Sequence, residues 1–593
     1  MKKKQMKASL LLVSLLTAGF LVTGCTNDDY DFDQIDATMG FGGGELEIPA
    51  SSTMNIPLSD ILELEENGSV KIAANGDYLF QLTGTDASTA SPKISPIFLS
   101  GRSYSHTITL GTSSAAKGIR AAGTHLSFVS PKQQMFVYNG TDAAVKSLKS
   151  AEVNGEIVLN VNLALNGLSS AINTIDKATI NLPGYLQISS VNGNGNGVPM
   201  VNGSKITVEN VSTSRNLRLT IKAKKLDFAN QNDYYGKVVI GDNGSIKMDG
   251  YFDLGIEAHV TGVPTSALSI GANVTVNDIY LKSATGIFDP EINITSLGDV
   301  AVTGVPDFLS EDGVRADLDN PQIILSIHND MDAAAKVSAK VISTKNGQNL
   351  ATVQLPEMHI YKTTVTPVTK ICICRHKTAE LTTQYGAANV YEVSNLATLI
   401  NQHIPDHVQI TDVVAKADLS QEMTIEFGRN YNVEPSYEVY APLAFAEGAV
   451  IEYADDFDGW NDDLDELELA EGTYLRLTAD AQNLVPATLI VEATPLGVNG
   501  ADISNQIEVN IKQGTVKASA DGVKAETSPL EIELREKVKG ALQKLDGLSY
   551  KVKGKASHDG TIVTGINLNS EKHTLKLENI KVKLVGKVIG NFN

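Results

Sequence analysis

The residue types best suited to chemistry fall in two short stretches. The first is Thr369-Lys-Ile-Cys372-Ile-Cys374-Arg-His376. Alternate residues of a strand share a face, so Cys372, Cys374 and His376 would point one way and Ile371 and Ile373 the other. Two thiolates and an imidazole suit zinc, with His359 a candidate fourth ligand from a neighbouring strand. A flat Cys-x-Cys strand, however, holds its sulfurs roughly 7 Å apart, too far for one metal without a bulge. A disulfide between them needs a similar distortion. The pair is therefore expected to be packed or part-exposed thiols, and neither a metal site nor a cofactor is assigned.

The second stretch is Asp455-Asp-Phe-Asp458-Gly-Trp460-Asn461-Asp462-Asp463-Leu-Asp465-Glu466, with seven carboxylates in twelve residues. Calcium takes about six to eight oxygens from loops of this kind, but the acid and glycine register does not fit an EF-hand. The plainer reading is an acidic loop entering a short helix, whose N-terminus favours acids. Trp460 is the only tryptophan. Flanked by Asp458 and Asn461, it could stack on a sugar ring while its neighbours read hydroxyls, although burial is the commoner fate of tryptophan. Tyr234-Tyr235 is a weaker candidate of the same kind.

Catalytic signatures are lacking: there is no HExxH, Gly-x-Ser-x-Gly, phosphate loop or dinucleotide fingerprint. His403 and His407 have the spacing of a metal-binding helix but straddle Pro405, which would break it. Scattered acids could form a glycosidase pair only if folding brought two of them together.

The elements that must position these residues read as β. Period-two alternation runs through residues 45–48, 156–163, 216–222, 323–328, 506–512 and 573–584, the mark of half-buried antiparallel strands. Twelve Asn-Gly dipeptides supply the positive φ angles of tight hairpins. Helical signals are short, at 57–63, 394–401 and, best of the three, Arg535–Leu545. The expected fold is mainly β: tandem antiparallel, Ig-like β-sandwich domains with a few short helices. The expected boundaries are 1–24, a tether at 25–44, and β domains at 45–150, 151–315, 316–470 and 471–593. The stretches starting at Leu325 and Leu477 share a strand, small-residue link, strand and Asn-Gly order, a hint of duplication. That order also resembles the β-sandwich of late-embryogenesis-type domains over about 25 residues.

The N-terminus speaks to place. A basic start, Met1–Lys7, precedes an apolar run from Ala8 to Val22, too short for a spanning helix of about 20 residues. Val22-Thr23-Gly24-Cys25 follows, and it resembles the lipobox of bacterial lipoproteins. The resemblance implies cleavage after Gly24 and lipidation of Cys25, with a membrane partner through that anchor. The acids of Thr26-Asn-Asp-Asp-Tyr-Asp31 are similar to the export tags of surface lipoproteins in the Bacteroidota. They imply an outer-membrane, surface-exposed location.

The chain carries a formal charge of −21, which argues against binding nucleic acid or anionic lipid by charge. Removing residues 1–24, with four lysines and no acids, would make it −25. These features point to a non-enzymatic adhesion or surface-assembly module with a surface glycan or protein as partner. The alternatives are a glycan-binding accessory of nutrient uptake and a glycan hydrolase. Fimbrillin-type lipoproteins are trimmed at an arginine soon after the anchor, whereas the first arginine here is Arg102, which counts against a pilus subunit.

Overall fold

The computed structural model describes residues 38–591, apart from 50–52, 63, 65–67, 85–88, 110–122, 169–170, 263–267, 295–296, 306–308, 310–312, 402 and 465–467. Cys25, the stretch before it that resembles a lipobox and the acids that follow lie outside the described residues. The chain is mainly β, built as antiparallel sandwiches in series.

Among the described residues there are three sandwiches rather than four, and all three share one strand order. In each, an opening strand (Val145–Ala164, Gln322–Asn329, Tyr474–Asn483) lies between a closing strand (Ser269–Val276, Val433–Pro442, Thr574–Asn591) and a later one (Leu217–Asp227, Val368–Cys374, Glu526–Glu536). The chain then crosses to the second sheet (Thr174–Asn181, Ala335–Lys345, Thr488–Gly497). There it pairs with the penultimate strand (Ser245–His259, His407–Ala417, Leu545–Lys555). In the first sandwich extra strands, among them Ile279–Phe288 and Gln133–Thr141, join the two sheets into one.

The stretches at 325–347 and 477–500 occupy equivalent places in this plan. Both links between sheets are pinned by a buried asparagine. Asn329 Nδ2 donates to Ala333 O (3.0 Å) and Tyr361 O (3.1 Å), and its Oδ1 accepts from Met331 N (3.0 Å). Asn483 repeats the pattern with Ala487 O (3.0 Å), Lys517 O (2.9 Å) and Val485 N (2.8 Å). A chain leaving a sheet frees backbone groups that must be paired once buried, and the amide supplies both a donor and an acceptor.

The closing strand of each sandwich is flanked by a strand from the first 109 residues. Thr38–Pro49 pairs with Thr574–Asn591, Tyr78–Gly84 with Val433–Pro442, and Ser103–Thr109 with Ser269–Val276. The N-terminal segment therefore threads the third, middle and first sandwiches in turn. This corrects two expectations: residues 45–150 are not a domain of their own, and 38–44 of the supposed tether are strand. The pairing is between residues hundreds of positions apart, which local pattern does not reveal.

The sandwiches stack end to end. Met423–Glu426 of the middle unit pairs with Ile279–Phe288 of the first, and Met423, Ile425 and Tyr431 are buried in the first core. Likewise Ala481, Val485, Leu489 and Leu568 of the third unit sit in the middle core. Each contact uses the end where the opening strand stops and the closing strand starts. Thr38, opposite Asn591, therefore lies at one extremity, and the Ala164 and His259 strand ends of the first sandwich lie at the other.

Local expectations fared unevenly. Arg535 ends the strand Glu526–Glu536, and only Leu542–Lys544 turns, as a 3-10 helix. Ile532 and Leu534 face the core while Glu531, Glu533 and Arg535 lie on the opposite face, Glu533 buried there beneath Arg476 and Arg535, so period two wins over helix propensity. One helical turn forms at Leu58–Ile61 and a 3-10 turn at Leu396–Leu399. Asn346-Gly347 makes its hairpin with positive φ at both residues. Asn154-Gly155 instead lies inside the strand Val145–Ala164, at a shift of register.

Candidate functional site

Trp460 does not form a platform. It is 8% exposed and packs with Leu464, Leu475 and Leu545 in the third core. Its backbone N–H donates to Asp546 O (2.8 Å), and the Asp546 carboxylate takes the N–H groups of Gly459 and Asn461 (both 3.2 Å). Asn461 Nδ2 donates to Gln543 O (2.7 Å). Asn461 is therefore committed to fixing the loop, and Asp458 is left exposed beside a buried ring. The helix Asn461–Leu464 does follow the acids. Expected burial on apolar grounds, not sugar stacking, accounts for the tryptophan.

The thiol constellation also comes apart. Cys372 and Cys374 are free and buried, while His376 and His359 are exposed on other surfaces. The neighbouring Cys374 and burial together push the Cys372 thiol above its ordinary value. Among the described residues no group of three or more His, Cys, Asp or Glu is placed to hold a metal. His403 lies on a loop, and His407 Nδ1 sits 3.3 Å from Asp299 Oδ2, both half exposed. Tyr234 is 54% exposed, with Lys132 Nζ 5.1 Å from its ring centre. Tyr235 is tied down by donating to Asp253 Oδ2 (2.9 Å).

The cysteines instead floor a feature the sequence did not announce. On the outer face of the middle sandwich, Ile324, Cys372, Cys374, Leu381 and Val390 form a small apolar cluster of their own. It exists because the chain, leaving the strand Val368–Cys374, folds back over that face as the helix Ala379–Tyr385 and returns as the parallel strand Val390–Glu392. The Thr378 hydroxyl caps this helix by accepting from Leu381 N (3.2 Å), and Gly386 ends it at φ 84°. Its root is pinned: Arg375 Nη1 reaches Asp317 Oδ1 (3.1 Å) and Leu318 O (3.0 Å), and Lys377 Nζ donates to Ala387 O (2.6 Å).

Between this excursion and the loop from Tyr361 to Val368 runs an open groove of about 530 Å³. Its floor is Ile324, Ser326, Lys370 and Glu438, which follow from the register: Ser326 lies opposite Lys370, and Ile324 opposite Glu438. Gln384, Tyr385 and Asn389 form one wall, Tyr361, Val365 and Thr366 the other. Gln81 Nε2 donates to Glu438, and Gln384 Nε2 to the Tyr385 hydroxyl (3.2 Å). Burial, then the neighbouring Cys372, Glu438 and Tyr440, raises the Tyr385 phenol, which stays protonated at neutral pH. Glu438 is the only carboxylate among the lining residues. A hydrolase of the paired-carboxylate type needs two.

The floor residues gave no motif because they come from three strands, 44 to 112 positions apart between Ser326, Lys370 and Glu438. The helix signal at Ala379-Glu-Leu-Thr-Thr-Gln-Tyr385, with Thr378 before it and Gly386 after, was readable as a capped turn.

Fold and groove together define an end-to-end β-sandwich protein with a polar surface groove on its middle unit. No family model matches the chain, and no curated protein matches it. Among solved structures it is similar to a protein of Parabacteroides distasonis ATCC 8503 provisionally described as secreted. That match has TM-score 0.36 and 15% identity, over 51% of this chain and 90% of that one. A triple jelly-roll protein of an archaeal virus turret follows at TM-score 0.11 and 8% identity, over 82% and 96%. At these values neither carries an argument about function. Among the described residues no helix is long and apolar enough to cross a membrane.

Proposed function

We propose that this chain is a lipid-anchored surface protein of the outer membrane that acts without catalysis, as an adhesion or assembly rod. The observation that carries the reading is the position of Thr38. It lies at the extremity of the third sandwich, opposite Asn591, and thirteen positions after Cys25. Those positions span at most about 45 Å when extended. Lipid at Cys25 would hold the third sandwich near the membrane and carry the first sandwich outward, with its Ala164 and His259 strand ends foremost. Two or more acyl chains bind a bilayer far more firmly than one. The single carboxylate of the groove supports a binding rather than a hydrolytic role.

The reading is tested by replacing Cys25 with Ser and by protease treatment of intact cells. The expected results are release of the Cys25→Ser chain into the medium or soluble fraction, and cleavage of the wild-type chain on whole cells. Retention of Cys25→Ser in the membrane would remove the anchor. A wild-type chain that survives protease on intact cells, but not on broken ones, would face the periplasm. Adhesion to other cells or to a surface matrix should then fall with the released variant.

A further inference from the structure

We infer that the groove on the middle sandwich binds a short, uncharged oligosaccharide segment. At about 530 Å³ it falls within the roughly 300–1,000 Å³ of small-molecule sites. The lining carries one base, Lys370, and one acid, Glu438, so it offers no net charge to a polyanion or a polycation. Two tyrosines stand on opposite walls, Tyr361 and Tyr385, and aromatic side chains with a polar tip suit a ligand that is apolar on its ring faces and polar at its rim. The apolar area near them is small: Ile324, Val365 and Val368 are scattered among amides and hydroxyls, a poor match for a lipid or a hydrophobic drug-like molecule.

The polar groups are also unspent. Among the described residues Lys370 Nζ makes no ion pair, and the Tyr361 hydroxyl makes no hydrogen bond within the protein. Gln384 uses its amide N–H toward Tyr385 and keeps its carbonyl oxygen. A donor-rich ammonium, a phenol and a carboxamide oxygen, spaced over one floor and two walls, provide both donors and acceptors for sugar hydroxyls. The walls do not have to form on binding. The excursion is tied at its root by Arg375 and Lys377, and the opposite loop by Tyr361 N donating to Thr369 Oγ1 (3.0 Å). A preformed site avoids part of the ordering cost of binding. The groove lies on the outer face of the middle sandwich and is open to solvent, so a segment of a longer chain can reach it. This inference stands apart from the anchor: a soluble chain would keep the groove.

The test is calorimetric titration of the chain from residue 25 onward, in detergent, with neutral di- to tetrasaccharides, acidic oligosaccharides and capped extended peptides. The expected result is saturable binding of a neutral sugar, weakened about tenfold or more (about 1.4 kcal/mol) by Gln384→Ala and by Lys370→Ala, with Tyr234→Ala unchanged. Both groove side chains are exposed, so their removal leaves the fold intact, and equal thermal midpoints will confirm that. No neutral sugar binding at about 10 mM, well above a millimolar Kd, would overturn the inference. So would binding confined to the acidic sugars or the peptides, or binding lost with Tyr234→Ala and kept with Gln384→Ala.

Discussion

Asn329 and Asn483 each pin one crossing between sheets with three hydrogen bonds. Asn483→Ala would leave two carbonyls and one N–H unpaired in a closed core, at about 1–3 kcal/mol for each group water cannot reach. Urea unfolding should show the third sandwich destabilised by more than about 2 kcal/mol; a change within about 0.5 kcal/mol would mean water enters the link. Glu533 is a second such residue. Burial alone would raise its carboxyl, but Arg535 (2.8 Å) and Arg476 (3.1 Å) more than offset that and hold it below the usual carboxylate range. Glu533→Gln should cost about 1–3 kcal/mol, since hydrogen bonds to charged groups are the stronger kind. A neutral result in thermal unfolding at pH 7 would show the arginines finding other partners at no loss.

At the scale of elements, the strand Thr38–Pro49 covers one side of the 18-residue strand Thr574–Asn591. Removing residues 25–49 would leave much of that long strand as an open edge, with unpaired N–H and C=O groups that invite another chain. The truncated protein should self-associate in size-exclusion chromatography. A monomer with an unchanged midpoint would mean that the N-terminal strand adds little. The excursion over Ala379–Tyr385 makes the opposite case: it adds no strand to the sandwich interior, yet it creates the groove and buries both cysteines. Here the alternating pattern of Val368–Cys374 was readable in advance, including which face the cysteines share. What covered that face was not, because it depends on how the 15-residue return from Cys374 to Val390 packs.

For the whole molecule, the shared cores couple neighbouring units. The middle core takes in Ala481, Val485, Leu489 and Leu568 from the third sandwich, so those two units should melt together, and calorimetry resolving them into separate transitions would count against the coupling. His573 sits at that junction, where its backbone O accepts from Leu58 N (3.1 Å) and its Nδ1 from Asn569 N (3.1 Å). It is buried, and burial holds its pKa below the ordinary value near 6.5. Below about pH 6.5 the unfolded chain takes up a proton that the folded chain does not. Stability should therefore fall as pH drops from about 6.5 toward the folded value, and be complete above it. Thermal unfolding at pH 7.5 and 5.5 should show a larger loss for wild type than for His573→Gln; equal losses would place the acid sensitivity elsewhere.

The sequence alone determined the β class, the repeating strand, link and hairpin order, and the case for an anchor at Cys25. Each of these rests on neighbours in the chain: period-two burial, Asn-Gly turns, and an apolar run ending in cysteine. It misjudged Arg535–Leu545 because helix propensity and strand alternation compete within a few residues, and packing decides between them. Only the tertiary structure decided that residues 38–109 thread all three sandwiches, that Trp460 is core, and that Tyr361, Lys370, Tyr385 and Glu438 meet in one groove. Those outcomes are set by pairings across as many as 553 positions, from Thr38 to Asn591. Such contacts are chosen by the burial of whole faces, not by the residues beside them.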